Sequence, residues 1–413
     1  MQTLTILLFA LTYLGMAAGR VPGLQIDRAG IALLLAAVAV ASGALPADEI
    51  AAAMDFPTLL LLAGLMVLSA RVRAAGIYAR AALWIGRQSA NPHRLLALTI
   101  AVGGLLSAVL VNDIVVFAMA PILCTSLAAR GLDPRPYLFA LAAASNAGSA
   151  ASLIGNPQNI LIGQVGGLGF WSYAASAALP SLAALAITYL CIALVWRRHL
   201  LAVPEVPAAP PADIPPPEGN RGETLLCLGA LLLLLALFAT PLPREISALL
   251  VAGGLMLSRA VPSRQLLDEI DAPLLILFAS LFAINGAFAL TGLPEAVVAS
   301  FAEAGWLPER LSFLLPFSLA ASNTIGNVPA VILLLQAWTG LPDGALTALA
   351  LLSTLAGNLL LVGSLANLIV AEQAARAGVT LTFRDHAKAG IPITLLSMAF
   401  AALWLWAGGY VAL

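Results

Sequence analysis

Residues 145–162 read SNAGSAASLIGNPQNILI, and this stretch decides the fold. It lies within apolar sequence long enough to cross a bilayer, yet its middle is written to interrupt a helix. Gly155 suits the left-handed conformation that closes one helix, Asn156 is a good N-cap, and Pro157 fits the first position of the next. The expectation is two half-helices meeting near mid-membrane, their free carbonyls and amides beside Ser145, Asn146, Gln158 and Asn159. Exposed backbone at that depth is tolerated only where it is buried in protein or lines a cavity. Glycine and asparagine also serve as interhelical packing and glue, so one copy alone does not separate the two readings.

A second copy does. Residues 353–370 read STLAGNLLLVGSLANLIV, and Ser353, Gly363 and Asn367 repeat the spacing of Ser145, Gly155 and Asn159, each displaced by 208. Gly363 and Ser364 replace the Gly-Asn pair, with no proline following. Upstream, Asp55-Phe56-Pro57 and Asp271-Ala272-Pro273 each open an apolar run, displaced by 216. Interrupted helices at matching places in two halves are the best sequence pointer to a transporter's binding site.

Composition agrees. Of 413 residues 61% are hydrophobic and 9% charged, against roughly a quarter charged in soluble domains. The expected fold is therefore an all-α membrane protein, an inverted repeat of two halves. It comprises about ten transmembrane crossings, two re-entrant helical hairpins and two discontinuous helices. The first repeat covers 1–195, with scaffold spans within 1–70, an amphipathic interfacial arm at 71–90, a hairpin at 95–128, a broken helix at 137–163 and a span at 171–195. Arg71, Arg73, Arg80 and Arg87 would snorkel from the arm. Residues 196–223 contain seven prolines and form a water-exposed linker. The second repeat covers 224–413, with scaffold spans within 224–290, an arm at 294–305, a hairpin at 311–338, a broken helix at 345–371 and a span at 390–412.

This topology puts segments 19–28, 71–94, 129–136, 196–223, 258–271 and 371–389 on one face. They hold every Lys and Arg, Arg20 included, except Arg244 and Arg310. The positive-inside rule makes that face cytoplasmic and places both termini in the periplasm. One lysine against eighteen arginines points to a GC-rich bacterial genome, hence a bacterial inner membrane. An odd number of crossings per half requires the halves to insert in opposite directions.

Asp113 is the one acidic residue deep in an apolar run. A carboxylate there is costly unless paired or solvated, which suits a group that takes up and releases a proton; it, or Asn112, could also simply cap the second hairpin helix. The other hairpin tip, Ser322-Asn323-Thr324-Ile325-Gly326-Asn327, has amides and hydroxyls only, with Asn327 aligned to Asn112 as a cap. No basic residue falls deep in a span. An anion would be held by helix N-termini and by Asn, Ser and Gln side chains, while the facing carbonyls could equally coordinate Na⁺. Hydrolytic chemistry needs histidines at the site; His93, His199 and His386 all fall in cytoplasmic segments as solvated groups, so no enzyme and no nucleic-acid partner is expected.

These motifs (the Asn-Asp tip, SNxG…GNPxN, SNTxGNxP and GNLxLxGSxAN) resemble the ion transporter superfamily over roughly residues 50–410. That group includes arsenite efflux permeases, NhaD-type sodium/proton antiporters, divalent-anion/sodium symporters and the P-protein; the arsenite and P-protein side is nearest. The resemblance implies a scaffold, a moving transport part, elevator motion and a homodimer, with a soluble ATPase subunit if the chain is an arsenite pump. It implies a first half-site of Asn112, Ser145, Asn146, Gly155, Asn156 and Asn159. The second would comprise Asn323, Asn327, Gly357, Asn358, Gly363, Ser364 and Asn367. Asp113, Gln158, Ser322 and Thr324 join these from the residue reading. Two departures stand out: Gly357 to Gly363 lacks the proline and lysine typical of arsenite pumps, and Val111-Asn112-Asp113 replaces a second Ser-Asn-Thr. The expected function is secondary transport of a small inorganic or organic anion or metalloid, arsenite or antimonite efflux first, coupled to protons through Asp113. Sodium/proton antiport and sodium-coupled dicarboxylate or citrate-type symport stay open as alternatives. No cofactor is expected beyond H⁺ or Na⁺ as coupling ion.

Overall fold

Two capped aspartates set the frame. In the computed structural model Asp55 Oδ1 accepts from Thr58 N at 3.2 Å, and Asp271 Oδ1 accepts from Leu274 N at 3.0 Å. Each starts a long apolar helix with proline in its first turn. The structure describes residues 1–19, 23, 25–87, 91–201 and 221–413. Arg20 and most of the proline-rich linker lie outside them.

The main helices of the first half are α1 (Gln2–Ala18), α2 (Arg28–Ala41), α3 (Phe56–Ala74), α4 (Ile77–Arg87), α5 (Pro92–Val109), α6 (Asn112–Ala128), α7 (Arg135–Ser149), α8 (Pro157–Val165) and α9 (Phe170–Val195). The second half follows the same order: α10 (Arg221–Leu237), α11 (Arg244–Met256), α12 (Ala272–Ala289), α13 (Leu293–Glu303), α14 (Leu311–Thr324), α15 (Asn327–Ala337), α16 (Asp343–Ala356), α17 (Leu365–Arg376) and α18 (Phe383–Ala407). Regular structure among the described residues is helical apart from isolated bridge positions, among them the pair Arg310 and Ala412. Matching glycines with positive φ, Gly76 at 73° and Gly292 at 68°, turn the third helix of each half into the fourth; a side chain would resist that conformation.

Packing relates the halves by exchange. Helix α3 packs on α11 and α12 on α2; α6 packs on α17 and α15 on α8; α9 meets α18, and α7 meets α16. Each pairing is converted into its counterpart by swapping the halves, the mark of a two-fold relation. Loop contacts between the halves fall into two sets. Arg71 pairs with Glu223 and bonds Ser258 at 2.7 Å, and Arg73 pairs with Glu269 at 2.5 Å. On the other side Arg244 donates to Gly163 O and Gln164 to Glu245 at 2.9 Å.

Two expectations change. Arg71 and Arg73 end α3 and do not belong to the arm, which is shorter, at Ile77–Arg87. Arg71 does not snorkel: it is 1% exposed, because the first span of the second half begins beside it and supplies Glu223. His386 is buried too, with its ring 3.1 Å from the carbonyl of Asn358. Helix α18 starts early enough to carry it against the second helix break.

Helices α5 and α7 approach closely: a Cβ on Gly148 would fall 2.6 Å from the carbonyl carbon of Gly104. Gly148→Ala should therefore cost about 1–3 kcal/mol of stability and lower the thermal midpoint. Gly229→Ala, which faces open space, should not lower it; equal behaviour of the two would contradict this packing.

Candidate functional site

Helix α7 ends at Ser149 and α8 begins at Pro157, and the residues between them are bent, not helical. Asn156 caps α8, its Oδ1 accepting from Asn159 N at 2.9 Å. In the second half a short 3₁₀ turn, Leu361–Gly363, separates α16 from α17, and Ser364 Oγ accepts from Asn367 N at 3.2 Å. Both breaks thus form where the cap residues put them. The glycines act differently from expectation. Neither Gly155 nor Gly363 has positive φ; each is needed for closeness. A Cβ on Gly155 would meet Ser107 O at 2.7 Å, and one on Gly363 would meet Gly357 O at 2.9 Å.

Asparagines satisfy the carbonyls that the breaks release. Asn159 Nδ2 donates to Ser152 O at 3.0 Å, and Asn367 Nδ2 donates to Gly357 O at 2.9 Å and Leu360 O at 3.2 Å. These two residues, matched in the repeat, hold the loops and do not line the cavity. Asn146 joins the halves: its Nδ2 lies 2.8 Å from Asn358 Oδ1, 2.9 Å from Ser364 Oγ and 3.3 Å from Asn367 Oδ1. Thr354, which sequence reasoning did not single out, does the same from the other side. It donates to Asn159 Oδ1 at 3.0 Å and accepts from Asn156 Nδ2 at 3.2 Å and Gln158 Nε2 at 3.3 Å.

The hairpin tips are stitched to these breaks. Asn112 N donates to Gly155 O at 2.9 Å, and Ser145 Oγ to Asn112 O at 3.4 Å. Asn323 Nδ2 donates to Ala356 O at 2.9 Å, and Ser322 Oγ to Ser353 O at 3.4 Å. Thr324 bonds back to its own helix, at Ala320 O, and stays outside the cluster. Neither Asn112 nor Asn327 is an N-cap, the role the sequence left open for them. Val111 and Gly326 hold those positions without side-chain caps, Gly326 with φ 99°. The amide oxygens of Asn112 and Asn327 are consequently left buried and without a partner among the described residues.

A cavity of about 420 Å³ lies where the four inner helix starts converge. Of the expected residues, Asn112, Asp113, Asn146, Asn156, Gln158, Asn327, Gly363 and Ser364 line it. Ser145, Gly155, Asn159, Ser322, Asn323, Thr324, Gly357, Asn358 and Asn367 stand behind or beside that lining. Three charged residues line the cavity unforeseen: Asp27, Arg28 and Asp271. Asp27 and Asp271 cap α2 and α12, and both are exposed, so the cavity reaches the surface at the basic face. Asp113 and Arg28 have no hydrogen bond or ion pair among the described residues. Asp271 was legible as the start of an apolar run and Asp27 was not singled out; the place of both in the cavity follows from α2 packing on α12.

Asn146→Ala removes one amide that serves three buried acceptors across the halves. The expected loss is on the order of 2–3 kcal/mol, read as a lower thermal midpoint of the purified protein. A variant as stable as the parent would mean that this junction holds nothing together.

The chain matches the CitMHS citrate transporter family model over residues 6–344. It is 29% identical to an uncharacterized transporter of Mycobacterium tuberculosis over 98% of both chains. It is 28% identical to the silicon efflux transporter LSI3 of Oryza sativa subsp. japonica over 92% of each. Among solved structures, the Alcanivorax borkumensis YdaH transporter aligns with a TM-score of 0.57 at 14% identity, covering 98% of this chain and 97% of that one; this likeness concerns the fold alone. The chain belongs to the CitMHS citrate transporter family and is a multi-pass membrane transporter, not an enzyme.

Proposed function

We propose that the chain is a secondary active transporter that carries a small oxyacid, with arsenite or antimonite first, out of the bacterial cytoplasm in exchange for protons taken up at Asp113. The observation that carries this reading is the lining of the central cavity. It offers neutral amides and hydroxyls, with three carboxylates against one guanidinium. A free polycarboxylate would meet net repulsion there, whereas an undissociated hydroxide finds both donors and acceptors. The rice relative is named for silicon, and silicic acid is likewise an undissociated hydroxide near neutral pH. Asp113, which has no hydrogen bond or ion pair among the described residues, is placed to change its protonation as substrate comes and goes.

Movement is proposed to follow the bonding pattern. The breaks and hairpin tips of both halves are tied into one body through Asn146 and Thr354, while α2, α3, α11 and α12 pair as a separate frame. The first body would slide against the frame as an elevator. The halves would be inserted in opposite directions, with the basic face cytoplasmic and the termini periplasmic. The cavity then faces the cytoplasm in this structure.

A second reading, a citrate-type anion moving with Na⁺, draws on the family match and two observations. Arg28 is an unpaired cation at the cavity wall, and Asn112 and Asn327 present free oxygens that suit a hard cation.

Proteoliposomes with an imposed pH gradient separate the readings. Asp113→Asn should abolish gradient-driven accumulation of arsenite while leaving substrate counterflow; accumulation at the parental rate would remove Asp113 from coupling. Arg28→Ala should leave the arsenite KM nearly unchanged. Under the second reading the citrate KM would instead rise by about tenfold or more, the loss of a charge-assisted hydrogen bond.

A further inference from the structure

The matched arms of the two halves are packed differently. In the first half Tyr78, Ala82, Leu83 and Ile85 of α4 are buried. Arg130, at the end of the first hairpin, donates to Gly86 O there at 2.5 Å. In the second half Pro294 alone of α13 is buried. Phe301, which takes the place of Ile85 at the same displacement of 216 as Gly292 from Gly76, is half exposed. Where the first half is filled by its own side chains, the second holds an apolar cavity of about 550 Å³, within the range of small-ligand sites (roughly 300–1,000 Å³).

Its walls come from both bodies. Phe9 of α1 and Phe288 of α12 stack at 4.0 Å on one side, and Phe313 and Phe317 of α14 stack at 5.4 Å on the other, with Trp338 at 5.6 Å from Phe313. Two polar side chains interrupt this lining, Asn285 and Gln336. The amide of Asn285 is already satisfied, accepting from Tyr13 OH at 3.0 Å and donating to Leu281 O at 2.7 Å. Gln336 Oε1, at the base of the second hairpin, is buried and has no hydrogen-bond partner among the described residues. Trp306 is exposed beside it, as expected of tryptophans at headgroup level. An unpaired buried acceptor calls for a donor, and an apolar cleft beside lipid calls for a hydrocarbon chain.

We propose that this cavity binds one acyl chain of a bilayer phosphatidylethanolamine, with the ethanolamine ammonium donating to Gln336 Oε1 and the chain filling the aromatic cleft between α1, α12 and the second hairpin. The lipid takes the place that the side chains of α4 occupy in the first half. The assignment is independent of what the central cavity carries.

The test uses the full chain in nanodiscs containing phosphatidylethanolamine with a diazirine on its acyl chain, and maps the adducts by mass spectrometry. Labelling should concentrate on residues 288–338 and should be sparse on α4. Ala289→Trp, which fills the cavity, should reduce it about fivefold, whereas Leu290→Trp, on the exposed surface, should not. The matching phosphatidylcholine probe lacks a donor and should label about fivefold less, the effect of one net hydrogen bond; Gln336→Leu should abolish that difference. Equal labelling of α4 and α13, or labelling indifferent to Ala289→Trp, would overturn the site. Equal labelling by the two headgroups in the parent protein would overturn the assignment to ethanolamine. That last comparison needs no variant, so it holds even if Ala289→Trp fails to fold.

Discussion

Everything at the centre of this molecule depends on satisfying backbone carbonyls that two interrupted helices release inside the membrane. Each unpaired polar group there costs several kcal/mol. The chain answers with asparagines, chief among them the matched pair Asn159 and Asn367, whose amides turn back onto the loops. Several of the side chains that line the cavity also hold the breaks in place: Asn156 and Ser364 cap the inner helices, and Asn146 bonds across the halves.

The same economy joins the halves. Asn146 reaches the second break and Thr354 reaches the first, so each interrupted helix is braced by the other repeat. A brace of this kind makes the two breaks one rigid object, while the frame helices make their own pairs around it.

Symmetry is kept where it supports the fold and abandoned where chemistry enters. The positive-φ glycines, the break caps and the exchanged helix pairs are shared. Asp113 has Val328 at its matched place, Arg28 lines the cavity from one half only, and the arms differ in how far they are buried. The two halves therefore bring different charged groups to the same cavity.

The residues themselves announced the all-helical membrane class, the position of both breaks, the hairpins and most of the cavity's polar lining. These follow from local chemistry: a cap, a proline or an aspartate acts on the few residues beside it, and apolar length is read directly against bilayer thickness. What the chain's order could not disclose was set by contacts between segments hundreds of residues apart. Packing of α2 on α12 brought Arg28 and Asp271 into the cavity, the approach of Glu223 buried Arg71, and the early start of α18 carried His386 against Asn358. Gly155 and Gly363 were visible as glycines, but only the folded neighbours showed that they are there for want of a side chain and not for a left-handed turn.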